Sequence, residues 1–468
     1  MPGRRRAAML LPLLVLAVVA FSSSAALAHE ERPSQFPPGD GSVPTYRGHT
    51  SGAPRLVVCK DDSARRIADI GNAKLRAFNR RLLKECAYEH IQQAVDAVTA
   101  RGSNIYLLPG VYREEPTRSD PPCAADYEGG AISYEYEIAC PSLVNLVTII
   151  GDDPEDEDIV CDNKLCDLQI EGTGDDPTDV LIEGGFRPDG EWVKHNAIKA
   201  DRADGIYFRN FEVTLFRENG IYVHETDGYV IDDVLSHNND LYGFLSFASD
   251  HGLFKDCEAH HNGDSGVYPG SAADVNATNT ETGPLERWAA EVDNCNAHHN
   301  AIGFSGTAGN SVYIHDSDFH HNGIGMITDS FLPNHPGMPQ DHDWLVDNRF
   351  YSNNQNYYVE FVQAGKCAAD VPPAERGYEN GTVCPAFLMP VGTGLFYAGG
   401  NYNFTEHNDF YDNWRFGAML AYAPPVLRDD YDIDQFEVSN HNHFVGNRMG
   451  FAPGGLQQPN GLDFWWDD

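Results

Sequence analysis

The chain is poor in basic residues and contains only one long apolar run. It has 32 Lys and Arg side chains against 70 Asp and Glu, a formal net charge of −38. The apolar run Met9–Phe21 follows three arginines and precedes Ala26-Leu27-Ala28, which is the pattern of a cleaved export signal. Its 13 residues are short for a membrane span. We therefore expect a signal peptide at 1–28, cleavage near Ala28, and a secreted, extracellular mature chain without a transmembrane segment.

The acidic surface limits the possible partners. Residues 1–28 hold three arginines and no acidic side chain, so the remaining chain has 29 basic and 70 acidic groups, a net charge of −41. Such a surface disfavours nucleic acid and anionic lipid. It also disfavours polyuronates unless cations bridge them or the binding groove is locally basic. We expect a monomer whose partner is an extracellular polysaccharide, with no bound nucleic acid.

Closely spaced cysteine pairs of the CxxC type are absent, which disfavours a structural zinc site. The ten cysteines are an even set in an exported chain, so disulfides are expected. Spacing alone leaves the connectivity open. Local pairs that would each close a loop are Cys59/Cys86, Cys123/Cys140, Cys161/Cys166 and Cys367/Cys384, and Cys257 with Cys295 shares one position of the repeat described next.

Asp and Asn residues recur along the second half of the chain at intervals that reduce to one short repeat. The members of this series are Asn210, Asp233, Asp256, Asn294, Asp316, Asn348, Asn408 and Asn442. The shortest intervals are 22 and 23 residues, and the longer ones read as that unit plus an insertion. Five residues after the series come Asn238, His261, His299, His321, Asn353, Asn413 and Asn447. Because each unit carries alternating, strand-like runs, the repeat predicts a parallel β-helix.

The rest of the chain divides around this solenoid. Residues 29–84 read as a Pro- and Gly-rich flexible leader followed by the start of an N-terminal cap. Residues 85–468 are predicted to hold the cap helix, the β-helix and an acidic, aromatic tail that covers the other end. Helical spacing is best in Glu85–Thr99, and a helix there would close the exposed end of the first coil. The fold class is all-β, a right-handed parallel β-helix with an N-terminal α-helical cap.

Strand alternation predicts which side chains of each repeat face solvent. If the Asp/Asn series is position zero, positions −2 and +1 are mostly apolar or small and face inward. Position −1 then points outward and forms a charged column. The column consists of Arg209, Asp232, Lys255, Asp293, His315 and Asp347, beside a position −3 row that includes Glu291 and Tyr313. The insertions Pro269–Arg287, Phe331–His342, Ala364–Gly394 and Pro424–Gln435 are predicted to wall this sheet into a groove.

Three segments resemble the pectin-lyase-like right-handed β-helix proteins. Ile91-Gln-x-Ala-Val followed by Leu107-Leu-Pro-Gly-Val-Tyr112 resembles their opening, and Asn219-Gly-Ile-Tyr-Val223 and Asn262-Gly263 resemble their generic repeat. The resemblance covers about 85–453. It implies the fold, whereas the activity stays open among polysaccharide lyases, glycoside hydrolases, pectin esterases, alginate epimerases, copper-processing proteins and non-catalytic members. The Asp-Pro-His element of alginate epimerases is absent, and no family catalytic residue carries over.

The charged column offers candidate chemistry on a polysaccharide. Abstraction of a sugar C5 proton needs a base and a cation that stabilises the developing anion. Lys255 or His315 would be the base, and Arg209 or Lys255 would hold the substrate carboxylate. Asp232 and Asp293, two rungs or roughly 9.6 Å apart, could instead support inverting hydrolysis. The alternative to both is a charge ladder that serves only cross-strand pairing.

A column of His237, His260, His298 and His320 at position +4 is the second cluster of interest. It is a stacking ladder at a turn or a site for copper or zinc. The metal requirement stays open, and a divalent cation such as calcium is compatible with the acidic surface. The sequence therefore favours a secreted protein that binds or modifies a polysaccharide, with lyase or epimerase chemistry ahead of hydrolysis. A non-catalytic extracellular binding or structural protein is the alternative.

Overall fold

The protein is a single solenoid of parallel strands, seen in a computed structural model that describes residues 34–113, 144–152, 159–280, 285, 287–331, 335–423 and 439–466. The strands form a ten-stranded sheet and a nineteen-stranded sheet. Each strand pairs in parallel with the equivalent strand of the next coil. Because the nineteen-stranded sheet bends once in every coil, the solenoid has three faces.

Face 1 is the ten-stranded sheet. Its strands are Asn145–Ile150, Asn196–Asp201, Asn219–His224, Tyr242–Phe247, Ser265–Gly270, Ile302–Thr307, Ile324–Asp329, Thr393–Ala398, Phe416–Ala421 and Leu462–Trp466.

Faces 2 and 3 share the longer sheet. The strands of face 2 are Arg55–Val58, Asn104–Leu107, Gln169–Gly172, Asp250–Lys255, Ala290–Asp293, Val312–His315, Trp344–Val346, Phe404–Glu406 and His443–Val445. The strands of face 3 are Gly110–Tyr112, Val180–Glu183, Glu258–His260, Asn296–His298, Asp318–His320, Arg349–Tyr351, Asp409–Tyr411 and Arg448–Met449. Two long strands, Ile206–Thr214 and Asp227–His237, continue through the bend and belong to both faces.

Strand alternation separates a continuous apolar core from the outer surfaces. On face 2 the inward residues Phe208, Ile231, Phe254, Val292 and Ile314 are all completely buried in one core cluster. Each is stacked on its equivalent in the next coil, so the interior consists of columns of similar side chains. The predicted inward positions −2 and +1 are confirmed over these coils.

The Asp/Asn series marks the bend between faces 2 and 3. Asp233, Asp256, Asn294 and Asp316 all have φ between 49° and 55°, a backbone region that Asp and Asn adopt more readily than most residues. Their backbones follow one another in register, and Asn294 Nδ2 donates to Asp256 Oδ1 at 2.6 Å. Asp256, Asn294 and Asp316 are exposed, so over these coils the series lies at the surface and not in the interior.

The predicted register is also wrong by one residue from Asn348 onward. His315 pairs with Val346, which places Asp347, not Asn348, at the bend beside Asp316. Asn348, Asn408 and Asn442 instead point inward, where Asn348 and Asn408 are buried. The Asn408 side-chain oxygen accepts from the Asn348 backbone N–H at 2.9 Å. A one-residue shift moves a side chain to the opposite face, because the side-chain period of a strand is two.

The interior holds a long asparagine ladder that fixes the corner between faces 3 and 1. Its members are Asn239, Asn262, Asn300, Asn322, Asn353, Asn413 and Asn460, each at most 9% exposed. Each backbone N–H donates to the side-chain oxygen of the next member at 2.8–3.2 Å. Most of the side-chain amides also donate to a strand carbonyl, so buried polar groups are satisfied. Asn353 and Asn413, predicted at the turn beside His321, belong to this ladder.

The predicted N-terminal cap is confirmed. Three helices, Ser63–Asp69, Ala73–Leu82 and Ile91–Asp96, precede the first complete coil. Ile91, Ala94, Val95 and Val98 lie on one helical face and pack into the core cluster. The described part of the predicted flexible leader differs from expectation, because Arg47 makes hydrogen bonds to Asn104 and to the Asp167 carbonyl, and the Arg47 N–H donates to Gln169.

Four disulfides staple the described chain. They join Cys59 to Cys86, Cys161 to Cys166, Cys257 to Cys295, and Cys367 to Cys384. The predicted neighbours Cys257 and Cys295 lie on adjacent coils with Cα atoms 4.6 Å apart. The predicted pair Cys123/Cys140 lies outside the described residues. At the other end of the solenoid, Leu462–Trp466 extends face 1 by one strand, and Trp466 is 60% exposed, so the tail does not fold across that end.

The insertions leave the solenoid at two different corners. Pro269–Arg287 and Phe331–His342 connect face 1 to face 2, as predicted. Ala364–Gly394 instead follows the face 3 strand Arg349–Tyr351, so its predicted place beside the other insertions is wrong. It runs back along the corner between faces 3 and 1, where the Ala386 N–H donates to the Gly263 carbonyl. Pro424–Gln435 lies outside the described residues.

Candidate functional site

The charged column predicted on face 2 exists over five coils. Strand pairing aligns Arg209, Asp232, Lys255, Asp293 and His315 in that order. The next position is Val346, because Asp347 lies at the bend. The predicted neighbours Glu291 and Tyr313 do lie beside the column, one on each of two adjacent strands.

The N-terminal half of this column is closed. Asp232 is 3% exposed, accepts a hydrogen bond from the Tyr207 hydroxyl at 2.7 Å, and is ion-paired with Arg209. The Arg209 guanidinium also lies over the Tyr46 ring, 5.0 Å from its centroid. Asp232 and Arg209 therefore hold the leader against face 2. Because the Asp232 carboxylate is buried in this contact, it is not available to act with Asp293 as the predicted hydrolytic pair.

The open half of the column is centred on His315. Its Nε2 lies 2.8 Å from Glu291 Oε1, and its Nδ1 lies 2.9 Å from Asp316 Oδ2 and 3.7 Å from Asp293 Oδ1. Burial alone lowers the pKa of His315, but the two hydrogen bonds and the nearby carboxylates outweigh it and raise the pKa to about 9. His315 is thus an imidazolium at neutral pH and cannot accept a proton from a substrate.

Lys255 is the second basic residue of this cluster, which still has more acidic than basic side chains. Its Nζ lies 3.4 Å from Asp293 Oδ2, and its side chain is 42% exposed. The two cations are outnumbered by the carboxylates of Glu291, Asp293 and Asp316. The surface is therefore unfavourable for a substrate carboxylate. It suits a neutral sugar or a cation better.

An aromatic row flanks the cluster. Trp288 and Tyr313 have ring centroids 5.6 Å apart, Tyr313 and Trp344 are stacked at 4.8 Å, and Tyr313 is stacked on His315 at 4.3 Å. The rings are half-buried. Because the rings stack on one another, the planes of the rings are largely covered. The ring edges therefore form much of the solvent-exposed surface of this row.

Face 1 holds a second constellation that the sequence reasoning missed. Lys199 and Asp201 on one strand pair in register with Tyr222 and His224 on the next. Their neighbours Ile198, Ala200, Ile221 and Val223 are in the core, so these four side chains point outward. Lys199 Nζ lies 4.6 Å from the Tyr222 ring centroid, Tyr222 and His224 are stacked at 5.4 Å, and His224 Nδ1 lies 3.9 Å from Asp201 Oδ1.

Basic and acidic side chains lie together around this constellation. Residues 194–217 contain five Lys and Arg against three acidic side chains, in a chain whose net charge is −38. Lys194, Lys199 and Arg202 are each less than 5% exposed. Arg202 forms buried ion pairs with Asp152 and Glu225 at 2.9 and 3.0 Å. The constellation therefore combines buried cations with nearby carboxylates.

The N-terminal segment Ser34–Gly41 crosses this constellation, and we refer to it as the strap. Ser34 Oγ lies 2.9 Å from His224 Nε2, and the Gln35 N–H donates to Glu225 Oε1 at 2.7 Å. The Gly41 N–H donates to Asp227 Oδ2 at 2.8 Å. Phe36 packs on the outward cluster of Tyr222, Tyr242 and Tyr268. The strap is therefore part of what buries Tyr222 and His224.

The repeat itself could have indicated this constellation. Tyr222 follows Lys199, and His224 follows Asp201, by 23 residues, which is one of the two basic repeat intervals of 22 and 23 residues. The columns that the sequence predicts most clearly continue over many coils. This constellation occupies only two coils, because the equivalent positions of the next strand are Leu245 and Phe247.

Two groups of the described residues have the geometry to hold a metal ion. They are Asp227 with Asp250 and His251, and Asp293 with His315 and Asp316. Each group includes a histidine, whereas calcium prefers ligands that are all oxygen. In the first group His251 Nδ1 lies 2.6 Å from Asp227 Oδ1, so the pair is already satisfied internally.

A family model described as a right-handed beta helix region matches residues 189–330. Together with the parallel sheets and the bend in each coil, this match identifies the fold. The chain is a right-handed parallel β-helix protein. Among the described residues of this β-helix protein, no helix is both long and apolar enough to cross a membrane.

Several solved structures are similar to this β-helix protein. The pectate lyase Pel9A is 13% identical, with 87% of this chain and 83% of that chain covered and a TM-score of 0.41. The A-module of mannuronan C-5 epimerase AlgE6 from Azotobacter vinelandii is 12% identical, with 81% and 93% covered and a TM-score of 0.36. A rhamnogalacturonan lyase is 10% identical, with 87% of each chain covered and a TM-score of 0.37. No curated protein sequence matches the chain significantly.

Proposed function

We propose that this secreted β-helix protein acts on a uronic-acid-containing polysaccharide by removing the C5 proton of a sugar unit. The observation that carries the proposal is the Lys199–Tyr222–His224 constellation on face 1, which places a lysine beside a tyrosine and a histidine. The four disulfides support an oxidising, extracellular environment. The proposal covers both an elimination, as in a lyase, and an epimerisation.

The reaction requires a cation that neutralises the carboxylate, a group that removes a proton and a group that delivers one, and different residues of the constellation can supply them. The C5 proton of a uronate becomes acidic only when a cation neutralises the adjacent carboxylate, and Lys199 supplies that charge. Tyr222 and His224 are the groups that remove and deliver protons, with Asp201 placed to orient the imidazole. In elimination, the C5–H electron pair forms the C4–C5 double bond, the C4–O bond breaks, and the leaving oxygen takes up a proton. In epimerisation, C5 is reprotonated from the opposite side.

The charged column of face 2 supports this reaction less well. Its histidine is held as an imidazolium by Glu291 and Asp316, and its lysine is paired with Asp293. The raised pKa of His315 makes it a poor base at neutral pH, and the surrounding carboxylates repel a uronate. The residues proposed for catalysis from the sequence are Asp232, Lys255, Asp293, His315 and Asp347. In our proposal these residues do not transfer the proton, and residues of face 1 do so instead.

Access to face 1 requires the strap to move. Lys199, Tyr222 and His224 are each at most 1% exposed, and Ser34 and Phe36 form part of their cover. The predicted cleavage site after Ala28 lies only six residues before Ser34. The strap is therefore close to the expected mature N-terminus, where a segment can detach without disturbing the coils.

The test is a comparison of Lys199→Met with Lys255→Met on a panel of polyuronates. Unsaturated product is read by its absorbance, and epimerisation by NMR of the sugar protons. We expect the wild type and Lys255→Met to convert at least one substrate and Lys199→Met to lose at least 100-fold of the rate, about 2.7 kcal/mol of transition-state stabilisation. Equal rates for wild type and Lys199→Met would contradict the proposal. A loss of activity in Lys255→Met alone would indicate that the active site is on face 2.

A second candidate function is non-catalytic polysaccharide binding along face 2. The observation in its favour is the row of Trp288, Tyr313 and Trp344 beside exposed Lys255, which offers aromatic edges and polar groups to a sugar chain. Tyr313→Ala and Lys255→Ala would then weaken binding to a neutral or amino-sugar polysaccharide, measured by affinity electrophoresis. Unchanged mobility of both variants on every polysaccharide that retards the wild type would contradict it.

A further inference from the structure

Face 1 is covered along its middle but open at its C-terminal end. On earlier strands the outward residues Tyr222, Leu245 and Ile327 are completely buried. On the last two strands, Phe416–Ala421 and Leu462–Trp466, the outward residues Phe416 and Trp465 are only half-buried. The end of face 1 therefore presents aromatic surface to solvent.

Three aromatic side chains and one arginine form this open surface, which we call the platform. Its members are Trp414, Arg415, Phe416 and Trp465. The Trp414 side chain directly precedes the Phe416–Ala421 strand and is 50% exposed. Phe416 and Trp465 lie on adjacent strands and are stacked, with ring centroids 5.7 Å apart. Exposed apolar surface concentrated in one place is typical of an interaction site.

Arg415 gives the platform a cation that the protein does not neutralise. Its guanidinium lies over the Trp414 ring, 4.8 Å from the ring centroid. Among the described residues no carboxylate forms an ion pair with Arg415, whereas Arg448 on face 3 is paired with Asp409. The planar guanidinium can bind a carboxylate through two parallel N–H groups. Arg415 is therefore free to pair with a carboxylate of a ligand.

The backbone positions Trp414 and Arg415 before any ligand binds. The Trp414 N–H donates to Asn354 Oδ1 at 2.8 Å, and the Arg415 N–H donates to the Gly392 carbonyl at 2.8 Å. Gly392 has φ 92°, and a Cβ atom at this residue would lie 2.5 Å from the Trp414 ring. Glycine thus allows the indole to pack against this turn. A preorganised site loses less conformational entropy on binding.

An aromatic ring beside an unpaired arginine suits one unit of an acidic polysaccharide. The C–H face of a sugar ring is apolar and packs on an aromatic ring, while the sugar carboxylate pairs with a guanidinium. A second copy of the chain is a less favourable occupant, because two chains of net charge −38 repel each other over a whole interface. A polysaccharide needs contact with only the few side chains of the platform.

We propose that the platform binds a carboxylate-bearing polysaccharide, with Arg415 on a sugar carboxylate and the aromatic side chains against sugar faces. The Phe416–Ala421 strand lies seven strand spacings from Asn196–Asp201 on face 1, or about 34 Å at about 4.8 Å each. The platform is therefore separate from the proton-transfer constellation. It takes the same class of polymer as the proposed function, but binding at the platform requires no reaction.

The chain offers a matched control for each test variant. Trp414→Ala removes the exposed ring, and Arg415→Gln removes the charge. The control for the first is Trp466→Ala, at a position that is 60% exposed and in register with an inward residue of the preceding strand. The control for the second is Arg448→Gln, because that arginine is already ion-paired.

The experiment is a calorimetric titration of the mature chain with oligogalacturonate and oligomannuronate, and with the same oligomers after reduction of their carboxylates to alcohols. It is repeated in Lys199→Met if the parent chain converts an oligomer. We expect Kd for at least one oligouronate to rise roughly tenfold or more in Trp414→Ala and Arg415→Gln, and to stay unchanged in both controls.

The reduced oligomers separate the two contacts. The parent chain should bind them as weakly as Arg415→Gln does, whereas Trp414→Ala should weaken binding further. Circular dichroism should show unchanged melting for each variant. If Trp414→Ala melts at a lower temperature, the comparison of Arg415→Gln on the two kinds of oligomer decides alone, because that variant keeps the ring.

Two results would overturn the proposal. One is that the parent chain binds none of the oligouronates, or binds them no more tightly than Trp414→Ala and Arg415→Gln. The other is sedimentation of the parent chain as a dimer that Trp414→Ala converts to a monomer, which would make the platform a contact between copies. Loss of the C5 proton without binding at the platform would contradict only this proposal, and binding without loss of the proton would contradict only the proposed function.

Discussion

Ser34 Oγ lies 2.9 Å from His224 Nε2, although 190 positions of sequence separate the two residues. The contact joins the strap near the expected mature N-terminus to the outward face of the third face 1 strand, Asn219–His224. It places a small polar side chain where a sugar hydroxyl would lie if His224 takes part in proton transfer. The strap thus occupies the surface that the proposed function requires to be open.

Weakening the strap should therefore raise activity. Phe36→Ala removes the ring that packs on the cluster of Tyr222, Tyr242 and Tyr268. With less apolar area to bury, the strap should detach more often, and the initial rate on the substrate found in the polyuronate screen should rise severalfold. Val43→Ala, at a position 37% exposed in the described part of the leader, serves as the control. A Phe36→Ala rate at or below the wild-type rate, with unchanged melting, would argue against a covering strap.

Removal of one member of the asparagine ladder should destabilise the solenoid strongly. Asn300 accepts from the Asn262 backbone and side chain at 3.0 and 2.9 Å, and donates to the Ala259 carbonyl at 2.9 Å. Asn300→Ala leaves these buried groups unsatisfied, at a cost of roughly 1–3 kcal/mol each. Urea unfolding should show a clear drop in the midpoint, whereas the exposed Asn380→Ala should shift it by less than about 0.5 kcal/mol. Equal midpoints for the two variants would contradict the role assigned to the ladder.

The stability contributed by His315 should depend on pH above neutrality. Its pKa in the folded chain is raised to about 9, above the value of about 6.5 expected in the unfolded chain. The contribution is therefore complete below pH 6.5 and is lost as the pH rises through 9, a change of roughly 3 kcal/mol. His315→Gln should remove this part of the pH dependence of the urea midpoint. A wild-type profile between pH 6 and 10 that matches the His315→Gln profile would show that the imidazolium is not stabilised.

The sequence predicts the fold well because the period of the repeat is local. Intervals of 22 and 23 residues and the apolar alternation are sufficient to predict the parallel sheets, the outward column from Arg209 to His315, and the Cys257–Cys295 bond. The register fails at Asp347 and Asn348, because either residue can occupy position zero. Asp347 and Asn348 both fit the pattern, and only the buried hydrogen bonds of Asn348 decide that it points inward.

The candidate site was harder to predict for a different physical reason. The Lys199 constellation depends on two coils, and its neighbours on face 1 are apolar, so no long column marks it. The raised pKa of His315 arises from Glu291 and Asp316 together, and that combination is visible only once the strands are in register. The predicted column of His237, His260, His298 and His320 is stacked with ring centroids 4.7–5.1 Å apart. The hydrogen bonds of its last three members to His261, His299 and His321 depend on the bend geometry.

The most direct test of the proposed function follows the C5 proton itself. A panel of polyuronates is incubated with the mature protein in D₂O and examined by proton NMR, in parallel with Lys199→Met. We expect the C5–H signal of at least one substrate to be lost, either to deuterium or to an unsaturated product. Lys199→Met should slow this loss at least 100-fold, about 2.7 kcal/mol. Retention of the C5–H signal across the whole panel, or loss at the same rate in Lys199→Met, would contradict it.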